Sequence, residues 1–153
     1  MLRWCLLPIF VLAGWAQQYD GPRPPKADIP YLKHASNLIP TEIVEAKEEK
    51  KKNDTLYTIR GAESTAKTPL AMPIFILKAD KLAPDQLQLF RLESKGDHRE
   101  ILFGSKNPPA IHMEVTKLSS DGIYKIEVDR ELEPGEYSLS PEGSNQVFCF
   151  QVF

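Results

Sequence analysis

Cysteine, histidine, methionine and tryptophan are all scarce in this chain of 153 residues, which holds two, three, three and two of them respectively. Each scarcity excludes something. Cys5 and Cys149 are too few for a disulfide framework, and with Cys5 in the leading segment, Cys149 is expected to stand unpaired. It lies between Phe148 and Phe150 with no basic neighbour in sequence to lower its pKa, so it reads as a small buried hydrophobe. His34, His98 and His112 never fall at metal-ligand spacing, so no metal and no other cofactor is expected. No serine sits in a Gly-x-Ser-x-Gly elbow, and Ser144 in Gly143-Ser144-Asn145 reads as a turn residue. A glycine-rich phosphate cradle is missing, as is a run of exposed aromatics for stacking on sugars or bases. There is no excess of positive charge either, since the formal net charge is −2. Nucleic acid and anionic membrane surfaces are therefore poor candidates for the main partner.

Long apolar runs are also few, and the first has a specific pattern. Arg3, the apolar residues 6–12 and the small-residue ending Gly14-Trp15-Ala16 make the three parts of an export signal, with cleavage expected after Ala16. The run is shorter than the roughly 20 apolar residues of a membrane span, and Gln17, Gln18 and Asp20 follow at once. A secreted or periplasmic protein is expected, with no membrane span in residues 17–153 and enough chain there for one domain. Cys5 precedes the apolar run, so it offers no site for a lipid anchor at the cleavage point.

Proline, by contrast, is abundant. Pro22, Pro24, Pro25, Pro30 and Pro40 exclude a helix or an inner strand running through them, which predicts an extended proline-rich arm over residues 17–40. Pro22 to Pro25 reads as polyproline II. Ile29, Tyr31, Leu32, Leu38 and Ile39 are too apolar for a free linker, so the later part of the arm is expected to lie on the domain as an edge segment. Residues 41–52 admit two readings. Glu42, Glu45, Glu48 and Glu49 ahead of Lys50, Lys51 and Lys52 suit a short helix, whereas β-branched Ile43-Val44 and the turn Lys52-Asn53-Asp54 suit a strand pairing back.

From Thr55 onward the pattern is strand, turn, strand. Ile74-Phe75-Ile76-Leu77 is a continuous apolar run, expected to be buried on both faces. Ile111, Met113 and Val115, and again Tyr124, Ile126 and Val128, alternate with polar residues, which puts His112, Glu114, Glu127 and Asp129 on a wet face. Asp97, Pro134-Gly135 and Pro141-Glu142-Gly143 lie at turns. About eight short strands without a long helix predict an all-β fold, an antiparallel β-sandwich over residues 41–153. The last strand, residues 146–152, is apolar on both faces apart from Gln151, so it belongs inside a sheet. An outer-membrane barrel is disfavoured, because residues 17–153 contain no tryptophan for interfacial girdles and the strands are shorter than the roughly 9 to 11 residues a bilayer needs.

No catalytic, cofactor-binding or metal-binding residue is assigned from the sequence. His98, with Asp97 and Glu100 beside it, is the best placed acid-base group and would carry an alternative reading as a hydrolytic or metal-dependent enzyme. A small-ligand or sugar-binding sandwich is a further alternative, which an apolar pocket with converging polar groups would reveal. Asn53-Asp54-Thr55 fits the N-glycosylation acceptor pattern in a turn.

The segment Gly61-Ala62-Glu63-Ser64-Thr65-Ala66-Lys67-Thr68-Pro69-Leu70, with Pro73, Phe75, Pro134-Gly135-Glu136-Tyr137 and the closing Ser144-Asn145-Gln146-Val147-Phe148-Cys149-Phe150, resembles a group of small secreted bacterial proteins. Pro-Gly-Glu-Tyr also resembles the turn into a strand of immunoglobulin-like and transthyretin-like sandwiches. The resemblance implies bacterial export and a sandwich fold, and it transfers no catalytic residue. The leading expectation is a non-catalytic exported β-sandwich that acts through a protein or cell-envelope partner, using the arm over residues 21–40.

Overall fold

Alternating apolar and polar side chains stand on opposite faces of an extended chain, so each such run can bury one row by pairing with another. The computed structural model describes residues 18–153; the export-signal pattern, with Cys5, Trp4 and Trp15, lies outside them. Thirteen strands form, more than the eight or so expected, because residues 31–51 contribute four short ones and Lys67–Thr68 adds a fragment. They are β1 (Tyr31–His34), β2 (Asn37–Pro40), β3 (Glu42–Glu45), β4 (Lys47–Lys51), β5 (Asp54–Arg60), β6 (Lys67–Thr68), β7 (Ile74–Lys78), β8 (Leu87–Lys95), β9 (His98–Phe103), β10 (Met113–Lys117), β11 (Ile123–Val128), β12 (Gly135–Pro141) and β13 (Gln146–Val152). Residues 41–52 are thus strand and not helix. The expected turn at Pro84-Asp85 is a short 3-10 turn, Pro84–Gln86.

Two antiparallel sheets pack together as a sandwich. One has the order β10-β11-β7-β1-β2 and the other β3-β13-β12-β8-β9-β5-β4, with β6 parallel beside the end of β13. Between them lies the main core, built from Leu32, Phe75, Leu77 and Ile126 on the first sheet and Leu89, Tyr137, Leu139, Phe148 and Phe150 on the second. Phe150 stacks on Tyr137 with centroids 5.5 Å apart and meets Phe75 edge-on at 5.0 Å. As its sequence suggests, β7 is an inner strand with Phe75, Ile76 and Leu77 all buried, and β13 is inner too, between β12 and β3. No helix among the described residues is long and apolar enough to cross a membrane.

The proline-rich segment is fastened along its length. β1 and β2 form a hairpin whose first strand pairs with β7, so β1 is interior to the sheet and only β2 is an edge. Earlier in the segment, Arg23 bonds Asp121 at 2.7 Å and the Asp28 N–H donates to Lys78 O at 2.8 Å. Asp28 adopts the left-handed conformation at φ 61°, which turns its carboxylate back to accept the N–H groups of Asp80, Lys81 and Leu82.

The second sheet also curls on itself. Its two end strands, β3 and β4, are consecutive in the chain and separated only by Ala46, so one run of chain pairs with β13 over its first half and with β5 over its second. Ala46 marks the handover, donating its N–H to Asn145 O at 2.7 Å. The sheet is therefore joined end to end into a roll. Its interior face holds a second, smaller core of Ala46, Ile59, Leu92, Val147 and Cys149, separate from the main one.

Candidate functional site

Strand register decides what faces the inside of the roll. On β5, Thr55, Tyr57 and Ile59 stand opposite Phe103, Ile101 and Arg99 of β9, while on β12, Ser140, Ser138 and Glu136 stand opposite Gln88, Phe90 and Leu92 of β8. These pairs stack into layers. Thr55, Phe103, Gln88 and Ser140 lie toward one end with the Pro141–Asn145 turn, and Arg99, Glu136 and Glu42 fill the other. Exposure follows the same gradient, since Gln88 and Ser144 are exposed whereas Ile59 and Leu92 are buried. The open end also has a parted seam: β8 pairs with β9 only through residues 93–95, so the strands separate beyond Leu92, and Leu89 O bonds Ile111 N there instead.

Between these layers lies a cavity of about 320 Å3, lined by the aromatic rings of Tyr57, Phe90 and Phe103 and by the hydroxyls of Ser138 and Ser140. Phe103 meets Tyr57 and Phe90 edge-on, at centroid separations of 5.7 and 5.3 Å. Ser138 Oγ and Ser140 Oγ lie 3.1 Å apart and bond each other. Gln88, Thr55, Ser144 and Asn145 add neutral polar groups near the opening. Among the described residues no Asp, Glu, His, Lys, Arg or Cys lines the cavity. The arrangement can desolvate and hold a molecule, and it offers no carboxyl, imidazole, amine or thiol group.

The closed end is an ionic plug. Arg99, with 0% exposure, donates from Nε to Gly61 O and from Nη2 to Arg60 O and Glu42 Oε1, each at 2.8 Å. Gly61 turns its carbonyl to this guanidinium at φ +88°, a conformation that glycine adopts without strain. On the far side Arg99 Nη1 lies 3.8 Å from Glu136 Oε2, beyond hydrogen-bond reach, and Glu136 instead accepts the Ser64 N–H at 3.1 Å. Burial raises the Glu136 pKa above the ordinary carboxylate value, against the pull of that N–H and of Arg99. Arg99 Nη1 and Glu136 Oε1 have no hydrogen-bond partner among the described residues. Sequence reasoning passed over Arg99, although it stands in phase with inward-facing Ile101 and Phe103.

The residues singled out from the sequence lie elsewhere. His98 is close to both its carboxylates, with Nδ1 2.8 Å from Asp97 and Nε2 3.2 Å from Glu100, and hydrogen bonds to Asp97 first and Glu100 second raise its pKa. Both ring nitrogens face carboxylates, an arrangement that favours the protonated imidazole. His34 bonds Thr68 at 2.8 Å, and exposed His112 bonds Asp129 at 2.5 Å. Among the described residues no group of His, Cys, Asp or Glu is placed to hold a metal. Cys149 is buried and free, its thiol pKa pushed up to about 12 by burial. Asn53 is exposed in the β4–β5 turn.

Fold and cavity together define an all-β sandwich with one rolled sheet enclosing a neutral pocket. Comparisons with protein-family models, with curated proteins and with solved structures find no match.

Proposed function

We propose that this is an exported, non-catalytic binding protein that encloses a small molecule inside the rolled sheet. One observation carries the reading: a cavity of about 320 Å3 with a mainly apolar wall and a few neutral polar groups, the composition by which proteins hold small ligands. The lack of charged or thiol groups on that wall supports binding over chemistry. Export rests on the leading Arg3, apolar residues 6–12 and Ala16 pattern. An arm-borne partner contact finds less support, because residues 23–40 spend their bonds within the chain through Arg23, Asp28 and the β1–β2 hairpin.

Titration with the neutral dye N-phenyl-1-naphthylamine tests the reading. One saturable fluorescent site is expected, abolished by Ser140→Phe, which projects a ring into the mouth, and unchanged by Leu102→Ser on the exposed outer face of β9. Binding that survives Ser140→Phe unaltered would move the site out of the roll and end the proposal.

A further inference from the structure

The cavity wall also specifies the chemistry of its occupant, an inference that rests on the binding reading above. A buried charge needs a partner or it carries its full desolvation cost, and no side chain on this wall bears one. Arg99, the cation of the plug, is the register partner of Ile59 and is already flanked by Glu42 and Glu136. An anion entering the roll would meet two carboxylates as well as one guanidinium. A cation would meet the same plug, in which Arg99 already faces both carboxylates.

Two of the neutral polar groups share one strand face. Ser138, 2% exposed, and Ser140 are two residues apart on β12 and so project to the same face, where one hydroxyl donates to the other. Each hydroxyl has one O–H and two lone pairs, so the pair retains an O–H and free lone pairs to exchange with a ligand. Phe90, the register partner of Ser138, and Tyr57 and Phe103 on β5 and β9 form an aromatic surface that accepts a flat apolar body edge-on or face-on. A volume of about 320 Å3 is roughly twice the ~150 Å3 that accommodates benzene, which sets the scale at two fused rings.

We infer that the ligand is a neutral, mostly hydrocarbon molecule of about bicyclic size with a hydroxyl or carbonyl on one edge. That edge lies on Ser138 and Ser140 and the apolar face lies on Tyr57, Phe90 and Phe103. Naphthalene, 2-naphthol and 2-naphthoate share a ring system and differ only in the edge group, and their affinities at pH 7 are measured by calorimetry and by displacement of the dye. 2-Naphthol is expected to bind at least tenfold tighter than 2-naphthoate, and roughly tenfold tighter than naphthalene. In the Ser138→Ala/Ser140→Ala variant, 2-naphthol is expected to fall to the affinity of naphthalene, whose own binding reports an intact cavity. Should that variant lose naphthalene as well, Ser140→Ala alone, at its half-buried position, repeats the comparison. Equal binding of 2-naphthoate and 2-naphthol, or no loss of 2-naphthol in the serine variants, overturns this inference and leaves the binding reading standing. If none of the three probes nor the dye binds saturably, both fall.

Discussion

Replacing Arg99 by methionine tests whether the ionic plug holds the roll shut. The substitution removes hydrogen bonds to Gly61 O, Arg60 O and Glu42 and leaves Glu42 and Glu136 without their cation, Glu136 only 4% exposed. Breaking a buried pair from one side costs about 3–5 kcal/mol, because the surviving charge stays desolvated. That is a fifth or more of the roughly 5–15 kcal/mol that holds a domain of this size together. In urea unfolding at pH 7, followed by circular dichroism, the unfolding free energy is expected to fall by that amount, read as a lower midpoint at an unchanged slope. If the penalty comes from stranded charge, Arg99→Met/Glu42→Gln/Glu136→Gln should recover more than half of the loss, since the amides keep acceptors for the N–H groups of Thr65 and Ser64. A loss below about 1 kcal/mol for Arg99→Met would refute the reasoning, because it would mean that the carboxylates regain water at little cost.

Burial raises the Glu136 pKa, so its contribution to stability is full below the unfolded carboxylate value of about 4.3 and is lost as pH rises through the folded value. Glu136→Gln should therefore flatten the decline of the unfolding midpoint above that pH. His98 is raised as well, chiefly by Asp97 and then Glu100, and its contribution likewise disappears as pH climbs from about 6.5 upward; an NMR titration should place its pKa above that value, and a pKa at or below it would contradict the two-carboxylate clamp. With its thiol at about 12 and no exposure, Cys149 should resist iodoacetamide at pH 8 in the folded protein and react after urea unfolding, as peptide mass mapping would show. For Asp28, desolvation is outweighed by the Leu82, Asp80 and Lys81 N–H groups, and its pKa is lowered. Asp28→Ala should cost about 0.5–2 kcal/mol at pH 7, by analogy with a lost cap, and the difference from the unmodified protein should vanish as pH falls through the folded carboxylate value.

Much of the architecture was legible where a strand has one wet and one dry face. Ile126 and Val128 announced β11 by alternation, and the bounds of β9 and β13 follow from the apolar runs flanked by turns; in β10 the alternation marks a strand but no dry face, because β10 is a sheet edge on which Val115 stays exposed. Residues 41–52 were ambiguous because their strand character depends on distant partners: Glu42 is fixed by Arg99, and Glu45 by pairing with Gln146. Local propensity carries no record of either. The cavity was hidden for a different reason. Ser138 and Ser140 alternate with Tyr137 and Leu139, which fill the main core, so their face reads as solvent until the sheet is seen to curl over it. In β9, Arg99 in step with Ile101 and Phe103 was the available clue, a charge in an inward row. The proline segment misleads in the opposite sense, since its prolines flank the β1–β2 hairpin and leave Tyr31 to His34 free to pair.

The two layers of the sandwich are interleaved along the chain. β1 and β2 belong to the first, β3 to β6 to the second, β7 to the first, β8 and β9 to the second, β10 and β11 to the first, and β12 and β13 to the second. Neither layer can be cut out as a continuous fragment, and the roll lacks a wall until residues 146–152 have emerged from the ribosome. A growing chain consequently stays open and pliant for most of its synthesis, the condition in which a polypeptide can still be threaded through a narrow translocation channel.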